Sequence, residues 1–185
     1  SESDNQKILC MFSGGLDSLG MLYLLLTEDR YSAYQIHVHH MVLKNIENRA
    51  LAEKLACQQI IDYFRRHQYR EFQYTESLFE YSFMQNFFMF DSSVYGFLGA
   101  NMMIDDPTIV MMASGRSKDD IEADGSDYRR INQGLDVFHA LLPAEIKYQR
   151  PYILPVAHLS RQQIWDMLPK ELRKLSWSCR RPVYD

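Results

Sequence analysis

Six residues near the start of the chain, Ser13-Gly14-Gly15-Leu16-Asp17-Ser18, place two hydroxyls, two glycines and a carboxylate in one short span. Apolar runs flank them, residues 7–12 before and 18–27 after. Glycines that follow a buried strand let the backbone turn sharply and expose its N–H groups, and a helix starting there aims its positive end at the same place. Ser13 and Ser18 add hydroxyl donors, so the span suits phosphate oxygens. Asp17 is out of keeping, because a bare carboxylate repels phosphate. It fits as a ligand of Mg²⁺ bridging to those oxygens, or as a helix cap. Neither GxxxxGKS/T nor GxGxxG occurs, which excludes a Walker A loop and the dinucleotide fingerprint.

Other chemistry-bearing residues are less pointed. His37, His39 and His40 invite a metal, but alternation puts His37 and His39 on one strand face and His40 on the other. No acid or thiol stands nearby at ligand spacing, so packed histidines, or one near a bound nucleotide, are expected. Asp119, Asp120, Glu122, Asp124 and Asp127 could bind Mg²⁺, but five acids in nine residues read first as a solvated, mobile loop able to act as a lid. Asn48 and Arg49, early on a long helix, are candidate substrate contacts. Nothing resembles a Ser-His-Asp or Cys-His hydrolase, and Cys10 lies too deep in a strand to serve as nucleophile.

The elements that must position these residues alternate. Residues 7–12, 34–39, 69–74, 107–114 and "YILPV" read as strands; 18–27, 47–68, 93–103, 128–142 and 160–168 read as helices. In the long helix, Leu51, Leu55, Ile60 and Phe64 recur at helical spacing. The Phe/Met-rich "SLFEYSFMQNFFMF" is expected to fill core. Such alternation predicts a three-layer α/β fold, a mostly parallel five-stranded sheet with helices on both faces. Ligands of such sheets bind at the carboxyl ends of the strands, where the glycine loop and the Gly115 loop both open.

The 185 residues suit one domain, 1–185, with a basic tail from about 150: residues 150–185 carry +4, leaving −8 on the remainder of a chain of net charge −4. No apolar run is long enough for a membrane span. Ser1 to Gln6 lack the order of a signal peptide, and Cys10, Cys57 and Cys179 form no CxxC pair, so the expected setting is cytoplasmic.

SGGLDS resembles the SGGxDS signature of the PP-loop ATP pyrophosphatases, in the adenine nucleotide alpha hydrolase superfamily. Within it, "ILPVAHLSRQQIW", "LSWSC" and "ASGRSKDDIEADGSDYR" resemble segments of the 7-cyano-7-deazaguanine synthase family. The resemblance implies a nucleotide-binding fold of that superfamily, with ATP and Mg²⁺ as cofactors. The implied reaction adenylates a carboxylate or amide oxygen, releases pyrophosphate, and lets a nitrogen nucleophile displace AMP. Ser13, Gly14, Gly15, Asp17 and Ser18 would hold the phosphates, with Val38 and Gly115 beside the nucleotide. Asp17, Ser18 and Arg161 would carry the chemistry, and Asp17 the Mg²⁺. Asp124 or Asp127 matches an acidic substrate position; the choice stays open. The family closes on a zinc-binding cysteine cluster, whereas Cys179 stands alone here, so zinc is not expected. "HHMVLKNIENR" replaces the family's tyrosine-glycine-glutamine stretch. The implied partners are ATP and a small carboxylate substrate, with a second copy of the chain and RNA as further candidates, RNA the less favoured. The alternatives are another PP-loop enzyme acting on tRNA, and a non-catalytic ATP-binding partner or sensor.

Overall fold

Residues 7–12 are apolar at nearly every position because both faces of their strand are covered. In the computed structural model, which describes residues 5–46 and 49–177, β1 (Lys7–Met11) lies at the centre of a five-stranded sheet. Its parallel neighbours are β2 (Gln35–Lys44) and β4 (Ile109–Ser114). The outer strands, β3 (Gln73–Glu80) and β5 (Tyr152–Ile153), are parallel as well, giving the order β3-β2-β1-β4-β5. Ile8, Cys10 and Phe12 face a core shared with α1 (Leu16–Thr27), α2 (Ala50–Arg66), α6 (Arg161–Met167) and α7 (Lys170–Arg173). Leu9 and Met11 face the opposite core, against Ala100 and Met103 of α3 (Asp91–Asp105) and Phe138 of α5 (Arg129–Leu141). This is the three-layer α/β arrangement expected, with an all-parallel sheet.

The chain winds outward from β1 through β2 to β3, then crosses back over α3 to β4 on the other side. Strand order therefore reverses between β1 and β4, and a crevice opens there at the carboxyl ends. Among the described residues, no helix is long and apolar enough to cross a membrane.

Four local expectations need correction. The third strand begins at Gln73, not at 69, because Tyr69 and Phe72 turn into the first core, Tyr69 meeting the Phe64 ring edge-on at 4.9 Å. Arg70 meanwhile ties this segment down by donating to the carbonyls of Leu25, Tyr31, Ser32 and Tyr34. The Phe/Met-rich stretch is not core: Phe79, Phe83, Phe87 and Phe88 are exposed. β3 is an edge strand, and α3 and α5 pack over β1 and β4 instead of reaching it. Leu51 and Leu55 of α2 are exposed, burial beginning in earnest at Ala56, Cys57, Ile60 and Phe64. Finally, the acidic run is not all loop. Lys118–Asp124 forms helix α4, since the Ser117 hydroxyl accepts from the Asp120 N–H (3.3 Å) and Asp119 and Asp120 complement the helix's positive end.

Candidate functional site

The hexapeptide forms the turn from β1 into α1. Gly14 takes φ of +84°, a region open to glycine, and a Cβ there would lie 2.8 Å from Cys57 Sγ. The Ser13 and Ser18 hydroxyls meet at 2.9 Å, Ser18 Oγ accepts from the Ser13 N–H (3.2 Å), and Ser13 Oγ accepts from the Gly15 N–H (3.3 Å). The turn is thus held shut by its own serines. Trp177 covers it from the far end of the described chain, its backbone N–H donating to the Gly14 carbonyl at 3.2 Å. Gly115, following β4, packs so tightly on the first turn of α1 that a Cβ would lie 2.7 Å from the Ser18 nitrogen. Its lack of a side chain is demanded by the protein's own backbone.

Two short helices then bring charge to the loop. Ser160 and Gln163 cap α6 reciprocally, and Asp119 of α4 accepts from the Arg161 N–H at 2.6 Å. This places the Arg161 guanidinium between two carboxylates, 2.7 Å from Asp120 Oδ1 and 3.7 Å from Asp17 Oδ2. Asp17 retains only 13% of its side-chain exposure. Burial, and then the neighbouring Asp120, push its carboxyl up to about 7; Arg161 and Ser117 oppose that. Asp120 moves the other way: burial raises it, but the bond to Asp17 and the Arg161 charge outweigh this and hold it below the ordinary carboxylate range. The pair therefore takes up one proton as pH falls to about 7, and Asp17 rather than Asp120 carries it. Asp17 Oδ1 is buried and has no hydrogen-bond partner among the described residues.

The crevice between β1 and β4 holds a pocket of about 180 Å³ lined by Ser13, Ser18, Asp91, Tyr95, Arg116 and Asp120, among others. That is smaller than the roughly 300–1,000 Å³ of a whole small-molecule site, so it accommodates part of a ligand. Larger hollows of about 390 Å³ lie elsewhere, one of them at the amino ends of β1 and β2 beside Lys7 and Gln35. The amino edge is the wrong one for this fold class, and neither hollow is lined by a residue of the SGGLDS turn.

The expected residues are thus sorted. Ser13, Ser18, Gly115 and, through its contact with Asp120, Asp17 converge on the pocket, with Arg161 beside them. Val38 does not: it is fully buried opposite Cys10 in mid-strand, below the level of the loop. Arg49 is exposed at the start of α2 and lines no part of the pocket, and Asn48 lies outside the described residues. The Asp124 carboxylate accepts from the Arg130 and Ile131 N–H groups at 3.0 and 3.1 Å, capping α5. Asp127 is exposed and turns its carbonyl to Asn132. Sequence reasoning missed Asp91, Tyr95 and Arg116. Only Arg116, next to Gly115, carried a usable signal; Asp91 and Tyr95 are one helical turn apart on α3, a spacing hidden by the surrounding Phe and Met residues. Burial raises the Asp91 carboxyl against the opposing pull of Arg116, and drives the Tyr95 phenol well up.

The histidines pack in a row. His37 Nε2 and His39 Nδ1 share Thr75 Oγ1 (2.6 and 2.7 Å), His39 Nε2 meets Ser77 Oγ (2.8 Å), and His40 Nδ1 meets the Phe12 carbonyl (2.8 Å). Among the described residues no group of three or more His, Cys, Asp or Glu side chains is arranged to hold a metal. Mg²⁺ does not require such a group, because it keeps several waters and is commonly held by one or two carboxylates plus phosphate oxygens. The hard-oxygen pair Asp17 and Asp120, with Asp17 Oδ1 unpartnered among the described residues, fits that ion.

No family model matches the chain, and no curated protein sequence matches it. Among solved structures, the chain is similar to the U34-tRNA thiolase NcsA from Methanococcus maripaludis, which was solved with its 4Fe-4S cluster. The likeness has a TM-score of 0.56 at 16% identity and covers 95% of this chain. The chain spans 65% of that protein's length. At this identity the likeness speaks for the fold alone: an α/β domain around an all-parallel five-stranded sheet, with the SGGLDS turn at its strand-order reversal.

Proposed function

We propose that the chain is an ATP pyrophosphatase that adenylates a substrate oxygen, with a small heterocyclic carboxylate of the 7-carboxy-7-deazaguanine type as substrate and ammonia as the nucleophile displacing AMP. The observation that carries the reading is the coincidence of the serine-locked SGGLDS turn with the Asp17–Asp120–Arg161 cluster, at the sheet edge where such folds bind ligands. In the proposed reaction the substrate oxygen attacks the α-phosphorus of ATP in line and pyrophosphate leaves. The Ser13 and Ser18 hydroxyls and the N–H groups at the start of α1 face the charge that builds on the leaving group, and Arg161 neutralises it. Asp17 and Asp120 would hold Mg²⁺, which supplies charge neutralisation across the phosphates. No covalent nucleophile is required; the residues position and stabilise. The carboxylate substrate rests on the C-terminal resemblance. Its segments fall on β5, the Ser160-capped start of α6 with Arg161, and Trp177 over the loop.

A second reading, modification of a tRNA base by the same adenylation, is favoured by the structural similarity to a tRNA thiolase and by the basic residues after 150. Among the described residues, Cys10 and Cys57 are buried core thiols, both pushed far up by burial, and do not fit an iron–sulfur cluster. The deciding experiment measures pyrophosphate and AMP from ATP·Mg²⁺ in the presence of 7-carboxy-7-deazaguanine with ammonia, or of tRNA, with Asp17→Asn as control. Release that needs the carboxylate and Asp17 supports the first reading. Release only with tRNA transfers the assignment to the second, and ATP binding without release in either arm overturns both as enzymes.

A further inference from the structure

The pocket at the strand-order reversal has two walls of opposite chemistry. The sheet and the glycine loop form a donor wall, with the Ser13 and Ser18 hydroxyls. Ser114 joins them: its Oγ accepts from the Tyr152 phenol at 2.9 Å, which leaves its own proton to donate. The first turn of α3 forms the other wall, where Asp91 and Tyr95 line the same space. A carboxylate there is out of keeping with a cavity made for phosphate alone. Asp91 is not among the groups that act on Asp17, and it does not cap its own helix, whose N-cap is Phe90. Among the described residues the Asp91 carboxylate, the Tyr95 phenol and the Arg116 guanidinium make no hydrogen bond, and neither charge forms an ion pair. Arg116 stands at the seam between the walls, its charge pulling down the carboxyls of both Asp91 and Asp120.

We propose that Asp91, Tyr95 and Arg116 form the acceptor-substrate subsite and select a heterocycle that carries both a carboxylate and an N–H edge. The inference rests on the adenylation reading above and adds the residues that choose the substrate. Opposite charges close enough to act on each other, both unpaired, with open space between them, describe a ligand bearing the complementary groups. Arg116 pairs with one oxygen of the substrate carboxylate and leaves the other for the α-phosphorus. Its place at the seam is where that oxygen has to lie, between the phosphate groups and the α3 wall. Asp91 accepts the paired N–H donors of a ring nitrogen and its exocyclic amine, a carboxylate having two oxygens to offer. Tyr95, one helical turn along α3, adds its hydroxyl beside that edge. A ligand made of phosphate alone leaves Asp91 facing like charge, and a heterocycle without the carboxylate leaves Arg116 without a substrate partner.

Calorimetry of the full chain with α,β-methylene ATP and Mg²⁺ present reads the subsite without turnover. The probes are 7-carboxy-7-deazaguanine, its analogue lacking the exocyclic amine, and its carboxamide. Wild type should bind the parent roughly 10–100-fold more tightly than either analogue, the range of one hydrogen bond or ion pair to a charged group. Asp91→Asn offers one acceptor where the N–H edge needs two, so it should bind the parent and the desamino analogue alike while still preferring the carboxylate to the carboxamide. Arg116→Gln should show the reverse pattern, indifferent to the carboxylate and still selective for the amine. General damage to the pocket would not divide the preferences in this way. Tyr95→Phe should weaken the parent several-fold. A parent bound by wild type, with both preferences unchanged in the variants, overturns the subsite and leaves the adenylation reading standing. A wild type that binds no parent, with or without the nucleotide analogue, overturns both. If Asp91→Asn fails to fold, the desamino analogue still tests the acid wall on wild type: equal binding of parent and analogue refutes it. The Arg116→Gln arm decides the carboxylate end independently, and an unchanged preference there refutes the assignment of Arg116.

Discussion

Two sets of titratable side chains are withdrawn from water in this molecule, and they are built on opposite plans. The histidine row on β2 is closed at its centre: both ring nitrogens of His39 have hydroxyl partners on β3. His37 Nδ1 and His40 Nε2 have no partner among the described residues, but an unpaired nitrogen on a neutral ring costs far less than an unpaired buried charge. The acid pair is open. Asp17 and Asp120 crowd each other beside a single guanidinium, and Asp17 Oδ1 has no partner among the described residues. Burying a carboxylate without full pairing is costly. The row therefore reads as architecture. The pair reads as a site whose stabilisation arrives with a ligand, and the two should respond oppositely to substitution and to pH.

The sharpest way to break the comparison is Asp17→Asn. Pyrophosphate release should fall by roughly 10²–10³-fold, as when a charge-stabilising group is removed from an active site. Stability should move the other way. The folded carboxyl titrates near 7 against 3.8 for an ordinary aspartate, so between those values the folded state holds a proton that the unfolded state has lost. Raising pH through that window costs stability, fully so above pH 7. Asparagine escapes this, so the variant should gain on the order of 1–2 kcal/mol at pH 8 and little at pH 4. Denaturant titrations at the two pH values measure it, and an equal or negative change at pH 8 would mark Asp17 as structural.

Gly115→Ala comes next. A Cβ at 2.7 Å from the Ser18 nitrogen meets backbone that cannot rotate away, so the first turn of α1 must shift. The expected loss is about 1–3 kcal/mol, with weakened ATP binding by calorimetry. An unshifted melting temperature would show the loop to be softer than its serine bonds imply. Arg161→Gln is milder, because the side chain is half exposed: about a tenfold fall in pyrophosphate release, the equivalent of roughly 1.4 kcal/mol. It should also move the titration of Asp17 to higher pH, since Arg161 is the charge opposing the rise. A titration that stays in place removes Arg161 from the cluster.

These residues also mark how much could be read from the chain alone. The strand–turn–helix around SGGLDS is local, so composition and spacing were sufficient to place it, and alternation was enough for the three layers. Asp120 as the partner of Asp17 was not legible, because a crossover and a second short helix bring together residues 103 positions apart. The acidic run disguised this further: five acids in nine residues look like loop, and only the Ser117 cap reveals a helix start. The Phe/Met stretch misled for a related reason. Its composition says apolar, but whether apolar residues are covered depends on which strands the helices overlie, and β3 lies beyond them. Val38 failed through register, its strand running six residues past it to Lys44.

The smallest expected effect is the best test of the closed set. Burial first, then the neighbouring His37 and His40, press His39 down to about 4, with Glu76 opposing; His37 and His40 are lowered too, again chiefly by burial. An unfolded histidine binds its proton near 6.5, so between 6.5 and 4 the unfolded state holds protons that the folded state refuses. Stability from the row is present above pH 6.5 and is lost as pH falls toward 4. His39 alone should therefore withdraw about 1–2 kcal/mol of wild-type stability between pH 7 and pH 5. His39→Gln keeps a donor and an acceptor for Thr75 and Ser77 but cannot titrate, so its stability curve should be flatter by one proton over that interval. Asp17 contributes a slope of opposite sign over the overlapping interval from 3.8 to about 7, so the row is read from the difference between His39→Gln and wild type, which should be the same when both also carry Asp17→Asn. A difference that changes on the Asp17→Asn background would mean that the row and the acid pair are coupled through β1, and the division into architecture and site would have to be redrawn.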